Sequence, residues 1–98
     1  MKVRWSRRAL ADLARMNAYL ADRNPAAARR VEARIRKRVN ELQDFPLSCP
    51  RSGIGQTRQL VVTRTPHIVL YKVEGDLLSV DAVFHAAQDR RQSLRRSD

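Results

Sequence analysis

The chain is short of the residues that usually announce a chemistry. A single cysteine, Cys49, in 98 residues excludes an intrachain disulfide and fits a reducing compartment. Only two histidines, His67 and His85, accompany that thiol, so a zinc site made of protein ligands is not expected and no cofactor is implied. No apolar run approaches the ~20 residues that a bilayer span needs. Lys2 leads into the basic cluster Arg4, Arg7, Arg8 with no apolar segment between, so no secretory signal is read. These absences together predict a cytoplasmic protein with no membrane partner. Acidic residues are also scarce. Ten Asp and Glu stand against twenty Lys and Arg, giving a net charge of +10. A surface so unbalanced predicts a polyanion or an acidic protein segment as partner.

What is present is enough for one folded domain. Hydrophobic residues make up 43% of the chain, near the globular average, and 98 residues support one modest core. Lys2–Trp5 reads as a short strand. Ser6 then caps a helix that carries Ala9, Leu10, Leu13, Met16 and Leu20 at helical spacing and ends near Asp22. These apolar residues, with Trp5, are expected mainly in the core. Asn24-Pro25 opens a second helix, with Asn24 as cap and proline at the first helical position. Ala28, Val31, Ile35, Val39 and Leu42 form its apolar stripe, and Arg29, Arg30, Arg34, Arg36, Lys37 and Arg38 its basic faces. Glu32 and Arg36 make a favourable i,i+4 pair. So short a connection makes the helices antiparallel neighbours.

Phe45–Gln56, with two prolines and two glycines, reads as an irregular loop. Thr57–Thr63 reads as a strand. Pro66 leads into a hairpin of His67–Val73 and Leu77–His85 around Glu74-Gly75-Asp76. Alternation puts Leu78, Val80, Ala82 and Phe84 on one face and Ser79, Asp81 and His85 on the other. From Ala86 the pattern is polar and basic, with Arg90, Arg91, Arg95 and Arg96. The expected order is β-α-α-β-β-β, an α+β fold in which a helical hairpin packs on a mainly antiparallel sheet.

These residues, in order, resemble the ParE/RelE superfamily of toxins from type II toxin–antitoxin modules, and the ParE branch in particular. The likeness runs through Trp5-Ser6, Ala9, Asp12-Leu13, Tyr19, Asn24-Pro25, Ala27-Ala28, Leu42, Phe45-Pro46, Gly53 and Arg58–Val61. It is densest at Pro66–Tyr71 and Val83–Asp89. The resemblance implies a toxin in hetero-oligomeric complex with a cognate, ParD-like antitoxin. In the superfamily the antitoxin's acidic C-terminal segment folds onto the toxin, and operator DNA is bound only through the antitoxin. Met16, Leu20, Arg29, Arg30, Arg34 and Arg38 are the candidates for receiving it.

Two targets follow from the resemblance. ParE-like members inhibit DNA gyrase by binding, which assigns target contact to Arg58, Arg64, His85, Arg90 and Arg91. RelE-like members cleave messenger RNA on the ribosome. Such cleavage needs a base, an acid and cations about the phosphorane. His85, Arg58 and Tyr71 are the nuclease candidates, with His67, Arg51 and Arg64 behind them. His67, following a proline at a strand start, is expected at the surface, and Tyr71 to pack with its hydroxyl satisfied. Many relatives read leucine-arginine-valine-leucine-histidine where this chain has Asp81-Ala82-Val83-Phe84-His85. Ala82 removes a cation and Asp81 adds an anion, which favours binding over cutting. A basic module binding DNA on its own is the third reading, with no helix-turn-helix signal or interleaved aromatics to support it.

Overall fold

Local signals at two residues set the helical hairpin. In the computed structural model, which describes residues 1–87, Ser6 has an extended backbone and its hydroxyl accepts from Ala9 N at 3.0 Å. Helix α1 then runs Arg7–Arg23. Asn24 ends it, donating its backbone N–H to the Leu20 carbonyl, and starts the next, its side chain accepting from Ala27 N at 3.1 Å. Pro25 takes the first position of α2, Pro25–Glu41, where its missing N–H is no loss. One residue thus serves both helices, and the chain reverses without a loop.

Strand β1, Lys2–Trp5, precedes the hairpin, and β2, Arg58–Val62, β3, His67–Glu74, and β4, Leu77–His85, follow it. The sheet order is β1-β4-β3-β2. The β2–β3 and β3–β4 pairs are antiparallel; β1 lies parallel to β4, from Lys2 opposite Leu77 to Trp5 opposite Val80. Gly75 closes the β3–β4 turn at φ 57°, a left-handed conformation that suits glycine. The expected α+β architecture is the one observed.

One face of the sheet receives the helices. Ala9, Leu13, Ile35, Val39 and Leu42 are buried there against Leu60, Val62, Val69, Tyr71, Leu78, Val80 and Val83. Leu10 departs from its expected place: it is 46% exposed. Ala9 and Leu13 face the sheet, and one residue along a helix turns the side chain by ~100° away from them.

The larger correction concerns β4. Leu70 lies opposite Ala82, but Tyr71 lies opposite Val80, so Asp81 is an extra residue in the strand. This β-bulge reverses the alternation. Leu78 and Val80 face the helices, as does Val83, whereas Ala82 and Phe84 cross to the other face and cluster with Leu70, Ile54 and Ile68. The four apolar residues expected on one face are therefore divided between two.

Candidate functional site

Past Trp5, β1 no longer covers the edge of β4, and α1 takes over that role. Ser6 N donates to the Val80 carbonyl at 2.9 Å, and its hydroxyl donates to the Asp81 carbonyl at 2.9 Å. Asp12, one turn inside α1, accepts from Val83 N at 2.9 Å. The polar backbone of the bulge is thus satisfied by α1. Asp12 is only 6% exposed, and its carboxylate also holds two cations. Arg8 Nε lies 3.1 Å from both its oxygens, and Arg15 pairs with one of them. A buried charge so paired is stable only while all its partners remain.

The bulge returns the end of β4 to the helix side, and His85 comes to lie opposite His67 of β3. Their ring centroids are 5.8 Å apart, edge to face at 77°. This pair closes one end of a groove of about 510 Å³ between α1 and the strand ends. Met16, Tyr19, Leu20 and Val31 line it from the helices and Pro66, Val83 and Phe84 from the strand ends, while Asp12 and Arg15 add charged groups. Arg23 lies over the Tyr19 ring, 3.8 Å from its centroid, and adds a cation to the exposed face of α1.

The two histidines differ. His85 is exposed, and its Nδ1 accepts from Ala87 N at 3.1 Å, which places the proton of its neutral ring on Nε2. His67, expected at the surface, is instead 8% exposed. Its strand position turns it inward with Val69 and Tyr71. Its Nδ1 is buried with no hydrogen-bond partner. Burial, and then the neighbouring His85, lower its pKa below the usual histidine value. Such an unsatisfied nitrogen costs about 1–3 kcal/mol.

Tyr71 lies four residues further along β3, ~13 Å away at strand spacing, with Arg58 of β2 opposite it. Tyr71 is fully buried and its hydroxyl donates to the Pro46 carbonyl at 2.8 Å. Burial, and then the Cys49 thiol beside it, raise its pKa well above the ordinary phenol value, so no phenolate forms near neutrality. Arg58, its cross-strand neighbour, donates through Nη1 to the Cys49 carbonyl at 2.8 Å and to the Leu47 carbonyl at 3.4 Å. These two side chains anchor the loop between α2 and β2. His85 is not part of their cluster. Arg51 and Arg64 are exposed, and Arg64 has φ 66° at the β2–β3 turn.

The basic face of α2 is partly engaged. Arg34 reaches the carbonyl and hydroxyl of Thr63, Arg36 pairs with Glu32 at 3.0 Å, and Arg38 with Glu41 at 2.9 Å. The Arg38 hydrogen bond also lowers the Glu41 pKa. Arg29 and Arg30 are exposed. Arg90 and Arg91 lie outside the described residues. Sequence reasoning missed Asp12 and Arg15 as parts of the site. The available signal was a carboxylate beside an apolar stripe, with arginines four residues before it and three after. Among the described residues, no group of three or more His, Cys, Asp or Glu could hold a metal, and no helix is long and apolar enough to cross a membrane.

Comparisons with known proteins agree with this architecture. The family model of the ParE toxin of the type II toxin–antitoxin system, parDE, matches residues 3–90. A putative toxin, Y4kP, of Sinorhizobium fredii is 38% identical over 93 residues, covering 95% of this chain and 96% of its own. Toxin RelE2 of Caulobacter vibrioides is 32% identical over 87 residues, covering 89% and 97%. Among solved structures, the chromosomal ParDE system from P. aeruginosa superposes with a TM-score of 0.80 at 23% identity, over 87% of this chain and 95% of that one. The isolated E. coli RelE toxin gives 0.61 at 13% identity, over 98% and 95%. At those identities the two structures speak for the fold, and the family model and the sequence relatives carry the assignment. The chain belongs to the ParE toxin family, within the ParE/RelE superfamily of type II toxin–antitoxin toxins.

Proposed function

We propose that this toxin acts by binding DNA gyrase rather than by cutting RNA, and that a cognate antitoxin neutralises it through an acidic segment. The observation that carries the choice of mechanism is the commitment of the nuclease candidates. Tyr71 and Arg58 spend their polar atoms on loop carbonyls, ~13 Å along β3 from the histidine pair. Ala82, standing where many relatives carry arginine, is buried in an apolar cluster with Leu70 and Phe84. The nuclease candidates His85, Arg58 and Tyr71 therefore do not converge on one point. Exposed Arg64 and His85, with half-exposed Arg58 held to the loop through Nη1, are the described candidates for target contact.

For the antitoxin, Met16 and Leu20 line the groove, and Arg29 and Arg30 lie exposed on α2. A net charge of +10 speeds association with an acidic segment, and the apolar groove supplies affinity. The solved structures of similar fold include the ParDE system and the intact RelBE toxin–antitoxin complex of E. coli. The test is a gyrase supercoiling assay with the purified chain. Inhibition that the antitoxin relieves is the expected result. Translation-dependent cuts in messenger RNA, lost in His85→Ala, would overturn this reading.

A further inference from the structure

The groove holds one feature that partner capture by apolar packing leaves unused. His67 lies 92% out of solvent, yet its Nδ1 has no partner, and it lines a groove whose other walls are largely apolar, with Asp12, Arg15 and His85 as its charged or titratable neighbours. A groove meant only for an aliphatic anchor has no use for an imidazole with an unmet nitrogen. We propose that the His67–His85 end of the groove is a carboxylate subsite, which reads an acidic side chain next to the bulky apolar anchor of a partner helix and takes up a proton as it does so. The proposal rests on the reading above that an acidic segment docks on the helical hairpin.

The charges around the subsite favour this occupant. From α1, the groove is faced by Asp12, Arg15 and Tyr19; from β3 and β4, by His67 and His85; from α2, by Val31, which carries no charge. Asp12 is already neutralised by Arg8 and Arg15, so an incoming carboxylate meets no unpaired anion. Arg15 keeps a largely exposed side chain at the same rim, with 68% of it accessible. In the free protein, burial and then the neighbouring His85 lower the His67 pKa, which favours the neutral ring. A carboxylate against the ring stabilises the imidazolium, whose positive charge is shared over both nitrogens. Proton and partner then bind together. By linkage, affinity rises as pH falls from 8 towards 6, across a window lying between the lowered value of the free ring and the raised value of the paired one.

Two synthetic helical peptides of 20 residues test this, with identical leucine and phenylalanine anchors. One carries glutamate and the other glutamine at the polar positions. With the full chain, the glutamate peptide is expected to bind about fivefold or more tightly at pH 6 than at pH 8, within the tenfold per pH unit that one proton allows. The glutamine peptide should show no such slope. In His67→Asn the slope of the glutamate peptide should vanish. Histidine NMR titration should show the His67 pKa rising on addition of the glutamate peptide, a readout that a merely structural role for the ring would not move. Leu20→Asp separates the two levels of the argument. If it abolishes binding while the wild-type pH slope is flat, the groove receives the partner and the carboxylate subsite is refuted. If Leu20→Asp leaves glutamate-peptide binding intact, the docking reading falls, and the subsite with it. A flat His67 titration, or failure of the glutamate peptide to bind, also overturns the proposal.

Discussion

Strand β3 carries two candidate catalytic side chains, His67 at its start and Tyr71 in its middle, and their surroundings are opposites. At Tyr71 the polar groups have loop partners: the phenol bonds to the Pro46 carbonyl, and Arg58 Nη1 to the carbonyls of Leu47 and Cys49. At His67 the cover stops short, leaving a groove and a buried nitrogen without a partner. The residue types at both places are those of catalytic sites. What separates a structural role from a functional one is whether the neighbours have already satisfied them. Polar groups fully used inside a protein rigidify it, whereas a buried one left unmet costs stability until something satisfies it.

The comparison breaks most visibly if its scaffold goes. Asp12→Ala leaves Arg8 without its carboxylate and Val83 N without its acceptor, so a loss of about 3–5 kcal/mol is expected in urea unfolding. A loss below about 1 kcal/mol would show that α1 does not hold the bulge. Next in size is Arg58→Ala, which strips two carbonyls of a charged donor and should cost about 2 kcal/mol. Tyr71→Phe should cost about 1 kcal/mol and leave toxicity intact, since its hydroxyl donates to the Pro46 carbonyl and lies beside the Cys49 thiol. Abolished toxicity with stability preserved would return Tyr71 to the chemistry.

The open end should respond to pH instead. The folded pKa of His67 lies below its unfolded value, so the unfolded state binds the extra proton first. The contribution of His67 to stability is therefore complete above the unfolded value near 6.5 and is lost as pH falls from there to the folded value. Thermal unfolding of His67→Asn should lack that share of the decline. The smallest effect belongs to His85→Gln, at an exposed position, where stability should stay within about 0.5 kcal/mol.

Most of the frame was legible in the chain. Ser6 and Asn24-Pro25 are caps whose side chains reach only three residues, so their effect follows from local sequence. The α2 stripe and the turn at Gly75 are local in the same sense. The site was harder to read. Asp12 was visible only as part of a family pattern, because its acceptor role depends on Val83, 71 residues away. His67 read as a surface residue because nothing near it in sequence tells which strand face the helices cover.

The scarcity of acids and the near absence of cysteine stand as sequence facts: they make the chain basic and remove disulfides and thiol clusters, whatever its shape. The bulge was decided by the tertiary structure alone. Leu77–Phe84 is apolar at six of eight positions, so either alternation suits it locally, and one extra residue at Asp81 chooses between them. That choice is stabilised by Ser6 and Asp12 from another element. It sends Ala82 and Phe84 to one face and brings His85 to His67 on the other, and the groove exists because of it.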